Sequence, residues 1–408
     1  MQKNYIKYDF DEIIDRHNTN SMKWDLSQGL VERGVINQIN EDTIIAFNAD
    51  MDFRCATPIV EAMKKVAEHG IYGYTAVEAS EKYYDAVISW FERRYGWKIK
   101  KDWIYYANGT LSGIKLLLQA AVEKGCGVIA MTPVYDPFFE AIELAGCEVK
   151  YCPLQHDDRG YYTIDYPLLE KMAQQEENKA LLFCNPHNPV GRVWSVDELL
   201  HVYEICKKNE LLILSDEVHG DLTRRNITYN PFAKVVNNAP DVIAFTAVNK
   251  TFNLAGLHIS NMIISDEEIR KKYLNLVGMF NIEPTPFAIE ALIAAYTKSD
   301  DWLEQLRIYL DDTIDWTIDF IQKKLPEVIC YKPEGTYILW MDFHKTGYSA
   351  DEIHDLIYNQ ANVLIADGSK YDPIEGKNYQ RICLPISRKL IKEAFYRIES
   401  VFHSSDNI

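Results

Sequence analysis

Between about residues 103 and 265, short apolar runs bounded by glycine, proline or polar residues alternate with segments whose apolar positions return every third or fourth residue. The runs WIYYAN, GVIAM, EVKYCPL, ALLFCNP, LLILSDE, DVIAFTAV and NMIIS predict strands. The segments LSGIKLLLQAAVEK from Leu111 and VDELLHVYEICKKNE from Val196 predict helices. Parallel strands need a crossover between them, so this alternation is the mark of βαβ units. An α/β fold with a mainly parallel, doubly wound sheet is expected.

The period then changes. Leu303, Leu306, Leu310, Ile314, Ile318, Ile321 and Leu325 recur at helical spacing over a length that suits a helix crossing from one domain to the next. Beyond it, CYKPEG, TYILWMDF, a helix from Ser349, VLIADG, YQRICLPI and a helix from Arg388 to Phe402 predict a smaller α+β domain. The expected division is an N-terminal segment over 1–45 packing with the small domain, a large domain over 46–298 and the small domain over 299–408. No internal repeat or low-complexity linker separates them.

Composition narrows the function. The net charge of −17 over 408 residues, with Lys and Arg scattered, leaves no basic stripe for nucleic acid or an anionic membrane surface. No stretch approaches eighteen consecutive apolar residues, and MQKNYIKYDFDEIID meets acidic residues before any apolar run of signal length. A cytoplasmic protein is expected. The eight cysteines have no C-x-x-C pair and no ordered Cys/His spacing, so reduced thiols are expected rather than disulfides or a metal; Cys147 and Cys152 should straddle one strand.

Ligands of open α/β sheets bind beyond the carboxyl ends of the strands, and four predicted ends carry compatible chemistry. WIYYA leads into Asn108-Gly109-Thr110-Leu111-Ser112-Gly113 at a helix start, a place for an anion such as phosphate. ALLFC ends in Asn185-Pro186-His187-Asn188-Pro189-Val190-Gly191, a rigid turn that can hold the Asn188 amide toward a ligand. LLILSDE carries Asp216 to the end of an apolar run, where a carboxylate needs a positive partner. DVIAFTAV ends at Asn249-Lys250, where desolvation would lower the amine's pKa. Each has an ordinary reading by itself: a glycine turn, a bare turn, a salt-bridged aspartate, a solvated lysine. Together they match one cofactor. Pyridoxal 5'-phosphate needs a phosphate cup, a lysine for its aldehyde, a carboxylate for its ring nitrogen and a donor to its phenolic oxygen.

NPHNPVG, SDEVHGDL and NKTFNLAGL also resemble the signature segments of fold-type I, class I/II aminotransferase-like enzymes. Within that superfamily DRHNTNSMKWD, NADMDF, GIYGYT and TPVYDPF resemble the cystathionine β-lyase type of C–S lyase. The resemblance implies a fold-type I pyridoxal phosphate enzyme. By it Lys250 binds the cofactor aldehyde, Asp216 pairs with the pyridine nitrogen, and Asn188 bonds the phenolic oxygen, with His219 nearby where many relatives carry tyrosine. Tyr135 would stack on the ring, Gly109, Thr110 and Leu111 would hold the phosphate, and Arg381 would grip the substrate α-carboxylate. Tyr74 would reach the cofactor phosphate of a second subunit, which implies a homodimer with composite sites. Tyr74 and Tyr135 as plain aromatics, and Arg381 as a plain ion-pair partner, are the ordinary alternatives. Three positions depart from the pattern: His258 stands where many aminotransferases carry a phosphate-anchoring arginine, Asn249 replaces a serine and Cys383 replaces an asparagine.

The implied reaction is β-elimination on an L-amino acid with sulfur at Cβ, such as cystathionine or cysteine, giving a thiol, pyruvate and ammonia. Lys250 would remove the Cα proton; Lys250, Tyr135 and Tyr74 are the candidates to protonate the leaving thiolate. An aminotransferase would use the same residues. A protein acting mainly through a regulatory surface contact is the third alternative, against which the full catalytic set stands.

Overall fold

The computed structural model describes residues 7–25, 28–280 and 282–404, so the first six residues and residues 26–27 of the expected N-terminal segment lie outside the described residues. Seven strands form one sheet: β1 (Ile104–Ala107), β2 (Gly127–Ala130), β3 (Glu148–Tyr151), β4 (Asn178–Cys184), β5 (Leu212–Asp216), β6 (Val242–Ala247) and β7 (Ser260–Ile263). Their spatial order is β1-β7-β6-β5-β4-β2-β3. All neighbours pair in parallel except β7, which runs antiparallel to both β1 and β6. Cys147 and Cys152 flank β3, and all eight cysteines are free.

The sheet is buried on both faces, and the period-two alternation of strand side chains feeds two separate cores. Ile129, Leu181, Phe183 and Ile213 point into one; Val128, Ala130, Leu182, Leu214 and Phe245 point into the other. On the first face lies α5 (Val196–Lys208), which buries Leu199, Val202, Ile205 and Cys206. A capping box starts it, Ser195 accepting from the Glu198 N–H while the Glu198 carboxylate takes the Ser195 N–H. On the second face lie α3 (Thr110–Ala121), through Ile114, Leu117 and Leu118, and α4 (Pro137–Leu144), through Phe138 and Ile142. The expected doubly wound arrangement follows from these two faces.

The long helix, α8 (Asp300–Lys324), belongs to two cores. Trp302, Leu303, Leu306 and Leu310 join the main core, whereas Ile314, Ile318 and Ile321 join a third cluster with Leu339, Met341, Ile382, Phe395 and Ile398. That third cluster lies against a three-stranded antiparallel sheet in the order β8 (Ile338–Asp342), β10 (Tyr379–Cys383), β9 (Ala366–Asp367), and against α9 (Arg388–Ser404). Ser349 caps a short helix, as expected, but the turns from Asp355 to Gln360 widen into a π-helix. Ile36, Ile44 and Ile45 also pack in this cluster, and Ile44–Ile45 pairs in parallel with Val363–Leu364. Phe10 goes elsewhere: it packs edge-on against Phe53 and Trp302, at ring distances of 5.1 and 5.8 Å, in the main core. Among the described residues no helix is long and apolar enough to cross a membrane.

The turn after β4 locks the two regions together. The Gly191 carbonyl accepts the N–H groups of Glu334 and Gly335 at 2.8 and 3.0 Å. Gly191 has φ +73°, and a Cβ there would lie 2.4 Å from Pro333 Cβ and 3.0 Å from its Cα. Gly191→Ala therefore meets both backbone strain and a backbone contact, and should lower stability by about 2 kcal/mol or more. Urea unfolding of the variant checks this; an unchanged midpoint would refute the docking argument.

Candidate active site

Sheet register brings the strand ends into one row. Cys184 lies opposite Asp216, Asp216 opposite Phe245, and Ser260 opposite both Ala247 and Ala107. The chain continues the register for one more step, since Asn185 N–H donates to the Asp216 carbonyl and Glu217 N–H to that of Phe245, at 2.9 and 2.8 Å. Asp216, Lys250 and the turn holding Asn188 thus leave the same edge of the sheet.

Asp216 is buried, and its Oδ1 accepts the Val218 N–H at 3.1 Å. Burial pushes its carboxyl up to about 6, against the pull of that N–H and of Lys250. Lys250 Nζ donates to the Ala49 carbonyl at 2.6 Å, and burial holds its ammonium below the usual lysine range, with Cys383 and Asp50 pulling the other way. Arg381, on β10, reaches in from the small sheet. One Nη donates to the Phe47 carbonyl, and its guanidinium lies 4.6 Å from the Tyr371 ring centre. Arg381 acts electrostatically on Lys250, Tyr135 and His219. Tyr135 is half-buried, and burial, with Asp136 beside it, pushes its hydroxyl up to about 12. His219 is buried edge-on to Tyr337, and burial together with Lys250 and Arg381 pulls its imidazole down to about 3, so it is neutral.

Several buried atoms here have no hydrogen-bond partner among the described residues: Asn188 Oδ1, His219 Nδ1, and Nε and Nη1 of Arg381. Unpaired buried polar groups are costly, and at functional sites they are the groups a ligand satisfies. An amide, an imidazole, a guanidinium and a carboxylate raised by burial suit a ligand with a protonated ring nitrogen, a ring oxygen and a carboxylate.

The anion site expected at α3 is formed by its first turn. Gly109, at φ +86°, precedes Thr110 and Leu111, whose N–H groups have no intrahelical acceptor. Thr110 Oγ1 lies 2.9 Å from Ser260 Oγ. His258 stands at this turn, its Nδ1 3.9 Å from where a Gly109 Cβ would sit. With its amide nitrogen toward them, Asn249 bonds the Leu254 and Ile259 carbonyls at 3.2 and 3.1 Å. Tyr74 stands apart from all of these, fully exposed on the surface of the chain.

Sequence reasoning singled out NADMDF for its resemblance but gave the loop at 47–53 no role in the site. Its Ala49 carbonyl accepts the Tyr337 hydroxyl at 3.0 Å as well as Lys250, and its two aspartates are gripped by the N-terminal segment. Arg16 bonds Asp50 and Asp52 at 3.0 and 2.6 Å, and Lys23, with no exposed side-chain surface, bonds Asp52 at 2.8 Å. Two aspartates flanking Met51, just after the apolar run Ile44-Ile45-Ala46-Phe47, were the available signal. Tyr337 left none, since TYILW reads as a plain strand. Among the described residues no cluster of His, Cys, Asp or Glu side chains could hold a metal ion.

Comparison with known proteins agrees with this geometry. The model of the family described as aminotransferase class I and II matches residues 48–398. Cystathionine beta-lyase PatB of Bacillus subtilis is 34% identical over 96% of this chain and 99% of its own length. Cystalysin from Treponema denticola, solved with a pyridoxal 5'-phosphate cofactor, superposes with a TM-score of 0.92 at 32% identity over 98% of this chain and 100% of its own. A C-S lyase from Staphylococcus hominis, bound to pyridoxal phosphate and the inhibitor L-cycloserine, gives 0.90 at 31% identity over 97% and 98%.

The Asp216 carboxyl yields a sign-definite prediction. Its folded-state value lies above its ordinary 3.8, so its contribution to stability is present below that pH and is lost as pH rises through about 6. In the ligand-free protein Asp216→Asn should be more stable than the parent at about pH 7.5, by roughly 1–3 kcal/mol, and equal to it below about pH 4. Thermal melts across that range measure the difference; a constant difference would sink the argument.

Proposed function

The chain belongs to the aminotransferase class I and II family, and on that premise we propose that it is a pyridoxal phosphate-dependent C–S β-lyase. The substrate is an L-amino acid with sulfur at Cβ, of which L-cystathionine is the leading candidate, and the products are a thiol, pyruvate and ammonia. The observation that carries this reading is the convergence of Lys250, Asp216, Asn188 and Arg381 at one edge of the sheet, in a chain whose relatives over nearly its full length include C–S lyases. That shared length includes the N-terminal segment whose Arg16 and Lys23 hold the loop under Lys250.

The residues present fit the cofactor. Lys250 would hold it covalently, Asp216 would keep its ring nitrogen protonated, and Asn188, with the neutral His219 nearby, would face its ring oxygen. Tyr135 would cover the ring, and the N–H groups after Gly109 would take its phosphate, beside His258 in place of an arginine. When bound, the cofactor supplies an electron sink for the charge left at the substrate Cα. Everything else falls to the chain. Arg381 offers Nε and Nη1 to the substrate α-carboxylate, a planar fork suited to it. Lys250, with its amine kept below the usual lysine range, is the base for the Cα proton. Once protonated it is also a better acid than Tyr135, whose hydroxyl burial holds at about 12. Lys250 is therefore assigned the thiolate's proton as well.

Tyr74 is placed in the site of a second copy, in a homodimer. Its full exposure supports this, as does that of Ile71, Tyr72, Met279 and Phe280, an unusual set of large apolar side chains at the surface. A cytoplasmic location, with all eight thiols reduced, and the division into a large domain at 46–298 and a small one at 299–408 complete the proposal.

Purified protein should release thiol, pyruvate and ammonia from L-cystathionine without an added 2-oxo acid. Conversion only when a 2-oxo acid is present, with exchange of the amino group and no thiol, would make the protein an aminotransferase instead. Lys250→Ala should cost about 1000-fold or more in rate, and Tyr135→Phe less than about tenfold. A loss for Tyr135→Phe as large as that for Lys250→Ala would move the acid role to the phenol. Sedimentation of the native protein should give the mass of two chains.

A further inference from the structure

Asp136 is a titratable group at the site that the reaction above does not use. It follows Tyr135 directly and opens α4 with helical backbone angles of −53° and −37°, yet its carboxylate does not cap the helix. Among the described residues it forms no salt bridge, although it is half-buried and two cations act on it. One is Arg381, buried in the floor of the site; the other is Lys370, exposed at the end of the turn Gly368–Lys370. The two loops are tied together, for Val134 N–H donates to the Tyr371 carbonyl at 3.0 Å and the Tyr371 ring lies under the Arg381 guanidinium. Burial falls from Arg381 through Asp136 to Lys370, so in order of exposure the charges alternate: positive, negative, positive.

This order is the complement of a particular substrate. A molecule with its reacting α-carboxylate on Arg381, followed outward by an ammonium and a second carboxylate, would meet an opposite charge at every step. A simple S-alkyl cysteine would meet only the first. A half-buried carboxylate that makes no salt bridge has room for a further cationic partner, and a distal ammonium on the substrate would be one.

Resting on the lyase reading, we propose that Asp136 and Lys370 form a distal clamp, Asp136 taking the ammonium and Lys370 the carboxylate of a second amino-acid head on the leaving thiol. The clamp selects L-cystathionine and L-cystine over S-alkyl cysteines. Asp136 and Lys370 are specificity-determining residues in this account; neither touches the reacting bond.

The test compares two substrates in the cofactor-loaded enzyme. The ratio of kcat/KM for L-cystathionine to that for S-methyl-L-cysteine should fall about three- to tenfold in Asp136→Asn and by a smaller factor in Lys370→Gln, with Asp136→Glu recovering most of it. An unchanged ratio in Asp136→Asn, including an equal loss on both substrates, overturns the clamp, because a group that merely tunes Arg381 would affect both alike. If the parent protein eliminates neither substrate, the lyase reading fails by itself. The clamp is then decided by equilibrium binding of the same two amino acids to cofactor-loaded Lys250→Ala protein with and without Asp136→Asn: a fall in the affinity ratio supports it and an unchanged ratio refutes it.

Discussion

The carbonyl oxygen of Ala49 is where the parts of this protein meet. It accepts Lys250 from the end of β6 in the large sheet and Tyr337 from the start of β8 in the small one. The loop that carries it is anchored from below by Arg16 and Lys23 through Asp50 and Asp52. Two residues earlier the Phe47 carbonyl takes Arg381. A short irregular segment thus sets the separation between the amine that would act on the substrate and the guanidinium that would hold it.

Burying these charges is costly, and the site uses that cost. The Asp216 carboxyl is raised and the Lys250 ammonium lowered mainly by desolvation, so in both the charged form is favoured less than it would be in water. A cationic ring nitrogen would favour the ionised Asp216 further, and the lowered ammonium suits Lys250 to act as a base. Unpaired donors on Arg381 fit the same account, since a guanidinium held between the Phe47 carbonyl and the Tyr371 ring keeps two faces of its fork for a ligand. Rigid support comes from both regions, and α8 joins them by burying Trp302 and Leu306 in one core and Ile314 and Ile318 in another.

Much of this was readable along the chain, because period-two and helical spacing report local geometry and burial directly. All seven central strands were found from their apolar runs, with ends within a residue or two except for the shorter β3. The antiparallel direction of β7 was not, because NMIIS has the same pattern whichever way it runs. Phe10 was expected with the small domain and packs in the main core, since an isolated aromatic carries no record of its partner.

By itself the sequence determined which residues could carry the chemistry: a lysine, an aspartate, an asparagine and a glycine-led helix start, each at the carboxyl end of a strand. Those are local facts, set by apolar runs and by the residues that end them. Only the tertiary structure decided that the ends share one row, that Arg381, expected from the small domain, is held by the Phe47 carbonyl, and that Ala49 and Tyr337 complete the site. Contacts between residues some 200 or 300 positions apart, as between Lys250 and Ala49 or Arg381 and Phe47, leave no periodicity in a sequence. They exist because the cores of two regions close around one loop.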